Sequence, residues 1–135
     1  MTAIQMIDEG RDGYRAGACN IGPAEIRRRR ATGIVGLVAT GALGLGLVAI
    51  GAPSSTRLLV ALPATVAAFG FLQARSRFCV GFALAGVRNF GPLGAVSRVD
   101  DAAAHRADLI AAMKLGAASL AIGMAVGVAF TLIPG

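Results

Sequence analysis

The sequence has little charge, and its few charged residues stand between long uncharged runs. Only 15% of the 135 residues are charged, whereas soluble domains carry about 25%. Hydrophobic residues make up 56%, which is more than one small core can enclose, because a short chain has a large surface for its volume. These proportions argue against a soluble enzyme and indicate that lipid covers much of the apolar surface.

Aromatic residues are also scarce, since the chain has no tryptophan and a single tyrosine, Tyr14. A net charge of +6 would suit nucleic acid, but recognition of single strands needs aromatic side chains on which bases stack. The positive charges lie between apolar runs rather than along one face of a domain. We therefore expect no nucleic-acid partner, and we interpret the charge as a signal of membrane topology.

Metal ligands are few, because the chain has two cysteines and one histidine. A structural zinc site takes four ligands and a catalytic one takes three. Cys19, Cys79 and His105 would just suffice if they met, but no spacing typical of a zinc site is visible. We predict no metal site and place His105 on the polar face of a helix.

Three uncharged runs predict three membrane-spanning helices. The first run, 31–52, would measure about 33 Å at about 1.5 Å per residue, which exceeds the hydrocarbon core of a bilayer, about 30 Å. A stretch flanked by arginines, 78–87, predicts a short helix lying in the membrane interface. The expected fold is an all-α membrane protein with three transmembrane helices plus this short helix. The other two predicted spans are 58–74 and 115–133.

Local signals divide the chain into three parts. Pro23 and Glu25 are typical of the first turn of a helix, and Asp100 and Asp101 are typical of a cap ahead of the third one. The predicted parts are a cytoplasmic N-terminal segment (1–21), a helical hairpin with the interfacial helix (22–90), and a linker with the third transmembrane helix (91–135).

With three spans, all 13 basic residues except Arg57 fall on the side of the N-terminus. The positive-inside rule then predicts a multi-pass protein of the bacterial inner membrane with its N-terminus in the cytoplasm. Clustered arginines beside the spans are expected to anchor this topology or to bind anionic lipid headgroups. These anchors are Arg27, Arg28, Arg29, Arg30, Arg75 and Arg77.

Glycine is abundant, with 19 residues, many of them inside the predicted spans. Small residues let helices approach closely in lipid, and Gly123 and Gly127 form a GxxxG pattern. Two interpretations remain open: packing against a partner or a second copy, and packing among the three helices of this chain. The candidate packing positions are Gly36, Gly41, Gly44, Gly123 and Gly127.

The interiors of the predicted spans contain no acidic residue, arginine or histidine, which argues against a proton-coupled transporter. No catalytic or cofactor-binding motif is visible, so cofactors stay unknown. The main expectation is a non-catalytic accessory subunit, or a self-associating protein, of a larger inner-membrane complex. Its partners would be the lipid bilayer and another membrane protein or a second copy.

The two cysteines support an alternative. Cys19 precedes the first span and Cys79 follows the second, so an antiparallel pair of helices would bring both to the same side. Arg75 and Arg77 beside Cys79 would favour its thiolate through their charge. This candidate thiol pair would handle sulfur, redox equivalents or a soft metal. The competing interpretation is two small, inert, packed residues.

The residues around both cysteines resemble the DUF2892 family of small membrane proteins, which also occurs as the membrane tail of some rhodanese (sulfurtransferase) proteins. The family opens roughly with Cys-Asn-Val-Gly, then Asp-Arg, then Arg and Gly. Its second signature reads Gly-x-Cys-Pro-x-Tyr-x-Leu-Leu-Gly. The resemblance covers about residues 19–90. Its matching residues here are Cys19-Asn20-Ile21-Gly22, Arg27, Arg30, Gly33, Cys79, Leu84 and Gly86, with Phe82 in place of Tyr.

This sequence departs from the family pattern at Val80, where the family has proline, and at Ala24-Glu25, where it has Asp-Arg. The third span lies outside the resemblance. The resemblance implies a helical hairpin with one cysteine near each cytoplasmic end and a link to sulfur or redox chemistry.

Overall fold

The computed structural model of the protein describes residues 13–134. Within them, three stretches are helical, long and apolar enough to cross a membrane: Pro23–Ala49, Ser54–Ser76 and Ala102–Thr131. The predicted architecture of three long apolar helices plus a short one is confirmed. The elements are α1 (Pro23–Ala49), α2 (Ser54–Arg57), a 3-10 turn (Leu58–Val60), α3 (Ala61–Ser76), α4 (Val80–Ala85), β1 (Val87–Arg88), β2 (Ser97–Arg98) and α5 (Ala102–Thr131).

Helix α1 begins as its sequence predicts and ends at Ala49, three residues before the end of the predicted span 31–52. Pro23 is its first residue, and Glu25 stands in its first turn. Past its last residue, Gly51 adopts a left-handed conformation with a φ of 68°. The amide of Gly51 donates to the carbonyl of Val48 at 3.1 Å, and that of Ala52 donates to Leu47 at 2.9 Å. This pair of bonds satisfies carbonyls at the end of the helix.

The second span is not one regular helix, because α2 and a 3-10 turn precede α3. Pro63 lies in the first turn of α3, where it has no N–H to donate to the carbonyl four residues earlier. Helix α3 ends with Arg77 in a left-handed conformation, with a φ of 53°. Glycine usually occupies this position because a Cβ is disfavoured there.

The short helix α4 covers less than the predicted stretch. It begins at Val80, so Phe78, which the predicted stretch 78–87 included, lies before the helix. Phe78 instead packs with Ala83 and with Ala112 of α5. Gly86 ends α4 in a left-handed conformation with a φ of 71°.

The predicted linker after α4 contains a small antiparallel sheet that the sequence analysis missed. Val87 pairs with Arg98, and Arg88 pairs with Ser97. Four residues in two strands are too short to show the alternation that identifies a strand. Beyond the sheet, Asp101 caps α5, since its Oδ2 accepts from the amide of Ala104 at 3.2 Å. This cap was predicted.

The chain divides into two compact units. The first, the charged unit, comprises Met1–Arg29 and Gln73–Leu115, of which the structure describes residues 13–29 and 73–115. The first twelve residues of the predicted N-terminal segment lie outside the described residues. The second, the apolar unit, comprises Arg30–Leu72 and Gly116–Gly135. Its only charged side chains are those of Arg30 and Arg57.

Within the apolar unit the three long helices pack through glycine. A Cβ on Gly36 of α1 would lie 2.6 Å from the backbone nitrogen of Ala67 in α3, so no larger residue fits. Large apolar side chains elsewhere on these helices face outward: Val35 is 68% exposed and Leu45 is 70% exposed. Such surface is costly in water and suits the interior of a bilayer.

Candidate functional site

Within the charged unit, the side-chain amide of Asn20 binds the backbone of Cys79 twice. The amide nitrogen of Cys79 donates to Oδ1 of Asn20 at 2.7 Å, and Nδ2 of Asn20 donates to the carbonyl of Cys79 at 3.1 Å. Asn20 is fully buried, so both bonds are shielded from water. The asparagine side chain thereby makes the two hydrogen bonds that a neighbouring β-strand would make. It fixes the backbone that carries the Cys79 thiol.

Hydrogen bonds between backbone groups continue this contact on both sides. The carbonyl of Arg77 accepts from the amides of Asn20 at 3.0 Å and Ile21 at 3.3 Å. The amide of Asn89 donates to the carbonyl of Asn20 at 3.0 Å, and Gly22 donates to Asn89 at 2.8 Å. The segment before α1 therefore lies between the end of α3 and the residue after β1.

The thiol of Cys79 is buried and accepts a hydrogen bond from an arginine. Nη2 of Arg29 lies 2.9 Å from Sγ of Cys79 and 3.4 Å from Oε2 of Glu25. The Arg29 guanidinium also stands 5.7 Å from the ring centre of Phe82. Glu25 is 1% exposed, so its carboxylate shares the arginine with the sulfur inside the unit.

The cation at the sulfur is Arg29, not the sequence neighbours Arg75 and Arg77 that the sequence analysis favoured. The side chains of Arg75 and Arg77 are exposed. The spacing of Glu25 and Arg29, four residues apart on α1, was visible in the sequence as an ion pair. The sequence did not reveal that Arg29 of this pair contacts Cys79, which is fifty residues away along the chain.

Cys19 and Cys79 are both free thiols, so they do not form a disulfide. Both belong to the charged unit, and Asn20 joins their two segments. Cys19 is half-buried, and its thiol lies 3.9 Å from the carbonyl of Ile21.

His105 does not combine with the cysteines in a metal site. Its Nε2 lies 3.1 Å from the carbonyl oxygen of Ala83 in α4. Across residues 13–134 there is no group of three or more His, Cys, Asp or Glu side chains that could hold a metal ion.

Most of the candidate packing glycines contact neighbouring helices of the same chain. A Cβ on Gly44 would collide with Phe130, and one on Gly127 would lie 2.8 Å from the Cβ of Ala61. At Gly123 it would lie 2.8 Å from the Cα of Thr65. The GxxxG pattern is therefore used between α5 and α3. Gly41 differs, because nothing lies within 4 Å of the Cβ position there.

The predicted arginine anchors fall into two groups. Arg27, Arg28 and Arg30 of α1 are exposed, as are the two near the end of α3. Arg29 is turned inward to Glu25 and Cys79 and is therefore not a surface anchor.

Two further clusters escaped the sequence analysis. Asp108 of α5 is fully buried in the charged unit, where it accepts from the hydroxyl of Tyr14 at 2.9 Å and from the amide of Gly17 at 2.6 Å. The guanidinium of Arg88 stands 4.8 Å from the ring centre of Tyr14. Burial of the Tyr14 ring, followed by its hydrogen bond to Asp108, raises the pKa of Tyr14.

In the apolar unit, the buried side chain of Arg57 holds two helix ends. Its Nε donates to the carbonyl of Ala52 at 3.1 Å, and its Nη1 donates to the carbonyl of Ile133 at 2.6 Å. A cation is favourable at helix C-termini, where carbonyls lack partners. Arg57 stood out in the sequence as the one basic residue on its side, but nothing there indicated burial.

The chain matches no protein-family model, no curated protein and no solved structure. The resemblance to the DUF2892 family therefore stays a prediction that depends on the two short cysteine motifs.

Proposed function

We propose that the chain is a non-catalytic multi-pass protein of the bacterial inner membrane, with its N-terminus in the cytoplasm. It serves as an accessory subunit, packing its helices against a membrane-protein partner or a second copy. Three candidate spans support the membrane location. The separation of charge supports it too, since Arg30 and Arg57 are the only charged side chains of the apolar unit and Arg57 is buried.

The observation that favours a packing role is an unused row of small residues on α1. Ala39, Ala42, Gly46 and Ala49 are exposed and recur every three or four residues, so they share one face of the helix. Nothing lies within 4 Å of the Cβ position at Gly46. Rows of this kind let a second helix approach closely within lipid.

Replacing Gly46 with leucine tests the packing role, because it fills this row without touching another helix of the chain. The size of the particle is measured by light scattering after extraction of the full-length chain in mild detergent. We expect a dimer or a larger complex from the unchanged protein and a smaller particle from Gly46→Leu. The control is Gly116→Leu, an equally open position on α5.

A free monomer from the unchanged protein would overturn the packing role. A dimer containing only this chain would support self-association, whereas a heterologous complex that Gly46→Leu disrupts would support the accessory subunit. Equal loss in both variants would show that the row on α1 is not the contact.

A second candidate is a thiol-dependent membrane protein that handles sulfur, redox equivalents or a soft metal. The specific observation in its favour is the contact between Arg29 and the sulfur of Cys79 at 2.9 Å, which places a cation beside a buried free thiol. Membership of the DUF2892 family, suggested by the two motifs around Cys19 and Cys79, would fit this candidate. Several residues of those motifs also have structural roles, because Asn20 binds Cys79 and Gly86 ends α4.

Mass spectrometry of the two thiols after treatment with hydrogen peroxide tests the second candidate. We expect oxidation of Cys79 in the unchanged protein and its loss in Arg29→Gln. The matched control is Arg28→Gln, which removes the neighbouring arginine of the same helix. Unchanged thiols after oxidant, together with an unchanged phenotype of the double Cys→Ser variant, would exclude this function.

A further inference from the structure

The segment before α1, residues 13–22, crosses the charged unit and contacts four other parts of it. It reaches α5 through Asp108 and the residue after α3 through the carbonyl of Arg77. It also reaches the start of α4 through Cys79 and the residue after β1 through Asn89. We call this segment the strap. Its position therefore affects several elements of the unit at once, including the one that begins at Cys79.

The last part of the strap lies against Cys79. Cys79 is 4% exposed, and Asn20 and the neighbouring Ile21 are 0% and 1% exposed. Asn20 binds both backbone polar groups of Cys79, at 2.7 and 3.1 Å. A reagent that approaches Cys79 from the side of the strap therefore meets Asn20 and Ile21 first. These two residues must move before that side of Cys79 is open to solvent.

The first part of the strap is held by one carboxylate of α5. Asp108 is fully buried, and it accepts from the hydroxyl of Tyr14 at 2.9 Å and from the amide of Gly17 at 2.6 Å. Gly17 has a φ of 71°, and a Cβ there would lie 3.2 Å from the carbonyl oxygen of Ala107. Glycine therefore suits the position at which the strap comes closest to α5.

A tight turn connects the two parts of the strap. The amide of Arg15 donates to the carbonyl of Cys19 at 2.8 Å, and the amide of Cys19 donates to the carbonyl of Arg15 at 2.9 Å. Gly17 lies inside this closed turn, and Asn20 follows it directly. Release of the turn from Asp108 therefore frees the residue next to Asn20.

The strap buries little apolar surface for its length. Among residues 13–22, Ile21 is the only buried hydrophobic residue, whereas Arg15, Ala16 and Ala18 are exposed. Segments with few buried apolar contacts open at a lower free energy than the core does. Asp108 would also regain water on opening, which offsets part of the loss of its two hydrogen bonds. Both features favour local opening of the strap while α5 stays folded.

We propose that the strap is a gate over the thiol of Cys79 and that Asp108 holds this gate shut. In the closed state the strap shields Cys79 from reagents in solution. When the strap leaves α5, Asn20 and Ile21 leave Cys79, and small electrophiles or oxidants reach the sulfur. The gate does not depend on the second candidate function, because it determines access to the thiol and not what the thiol does afterwards.

The test measures how fast N-ethylmaleimide modifies Cys79 in the full-length chain in mild detergent, with mass spectrometry to separate this thiol from Cys19. Tyr14→Phe removes one hydrogen bond of Asp108 and keeps the ring. Cys79 should then react about tenfold faster or more, which is the factor expected for the loss of one hydrogen bond to a charged group. Asp108→Ala removes both hydrogen bonds and should increase the rate further.

The matched control is Asp101→Ala, which removes a carboxylate from the beginning of the same helix. Asp101 accepts from the amide of Ala104 of α5 at 3.2 Å, so the rate of labelling should stay unchanged. An equal increase in this control would attribute the effect to loosening of α5 and would overturn the gate.

Unchanged rates in Tyr14→Phe and Asp108→Ala would overturn it as well. Reagents would then reach the sulfur by another route, such as past the exposed Gly81, whose Cβ position lies 3.8 Å from Sγ of Cys79.

Hydrogen exchange distinguishes opening of the strap from unfolding of the unit. In Tyr14→Phe the amides of Gly17, Asn20 and Ile21 should exchange faster, whereas those of α5 after Asp108 should keep their protection. Faster exchange throughout α5 would show that the variant unfolds the unit instead of releasing the strap, and it would contradict the proposal even if Cys79 reacted faster.

Discussion

Asn20 holds Cys79 through both of its backbone polar groups, at 2.7 and 3.1 Å, although the two residues are 59 positions apart. One side chain thereby joins the segment before α1 to the start of α4. Its neighbour Asn89 is equally buried and binds the carbonyl of Pro92 at 2.9 Å and the amide of Gly91 at 2.9 Å. Besides the apolar cluster of Phe78, Ala83 and Ala112, two buried amide side chains therefore stabilise the end of the hairpin that carries the cysteines.

Asn20→Ala should destabilise the protein by about 1–3 kcal/mol, because it leaves the buried amide of Cys79 without a partner. The carbonyl of Cys79 keeps the hydrogen bond from the amide of Ala83 at 3.0 Å. Asn20→Asp keeps the acceptor but replaces the donor with a carboxylate oxygen that faces the carbonyl of Cys79 at a fully buried position, so its loss should be at least as large. The measurement is the free energy of unfolding of the detergent-solubilised protein in sodium dodecyl sulfate. Ser97→Ala, at an exposed position, is the control. Equal stability of Asn20→Ala and the control would show that the hydrogen bonds between Asn20 and Cys79 do not stabilise the protein.

The contrast between two glycines of α5 supplies the second prediction. Gly123→Ala should cost about 1–3 kcal/mol, because its Cβ would press on the backbone of Thr65, which cannot move freely. Gly116→Ala should be neutral or stabilising by up to about 1 kcal/mol, because its Cβ meets no atom and alanine restricts the unfolded chain.

Both glycine variants can be compared by the same unfolding measurement. If both variants change the free energy of unfolding by the same amount, α5 and α3 do not approach closely at Gly123. A destabilised Gly116→Ala with an unchanged Gly123→Ala would mean that the GxxxG row faces the outside and that α5 presents a different face to its neighbours.

Long uncharged runs made the three helices predictable, and the capping preference of aspartate made the start of α5 predictable. The contacts at the candidate site were not, because each joins residues far apart in sequence. Tyr14 and Asp108 are 94 positions apart, and no local pattern tells which distant backbone a buried amide or carboxylate will bind. The arginine that reaches Cys79 was missed for the same reason: proximity in sequence favoured Arg75 and Arg77.

Arg57 supplies the third prediction. Arg57→Ala should destabilise the apolar unit by about 2–3 kcal/mol, because two helix-end carbonyls lose charged hydrogen-bond donors. Arg57→Lys keeps the charge but not the fork that reaches Ala52 and Ile133 together, so it should recover only part of the loss. Hydrogen exchange near residues 50–57 and 131–134 should rise in Arg57→Ala. Unchanged exchange at these ends would show that Arg57 does not hold them.

The last prediction uses Tyr14, the only tyrosine in a chain without tryptophan, so its ionisation can be followed alone through the ultraviolet absorbance of tyrosinate. Burial and the hydrogen bond to Asp108 raise the pKa of Tyr14 above its ordinary value of 10.0. The folded protein therefore binds the phenol proton more tightly than the unfolded chain does. This contribution to stability is complete below pH 10 and is lost as the pH rises beyond it, because the unfolded chain releases the proton first.

We expect the absorbance of the folded protein to change at a higher pH than that of the protein unfolded in sodium dodecyl sulfate. Stability should fall above pH 10 in the unchanged protein and less steeply in Tyr14→Phe, which has no phenol proton to lose. Asp108→Asn removes the negative charge that accepts the hydrogen bond of Tyr14, so it should lower the pKa of Tyr14 part of the way towards its ordinary value, while burial of the ring still raises it. Coincident titration of the folded and unfolded protein would show that Tyr14 is not bound to Asp108, and that the segment before α1 is not held on α5 in this way.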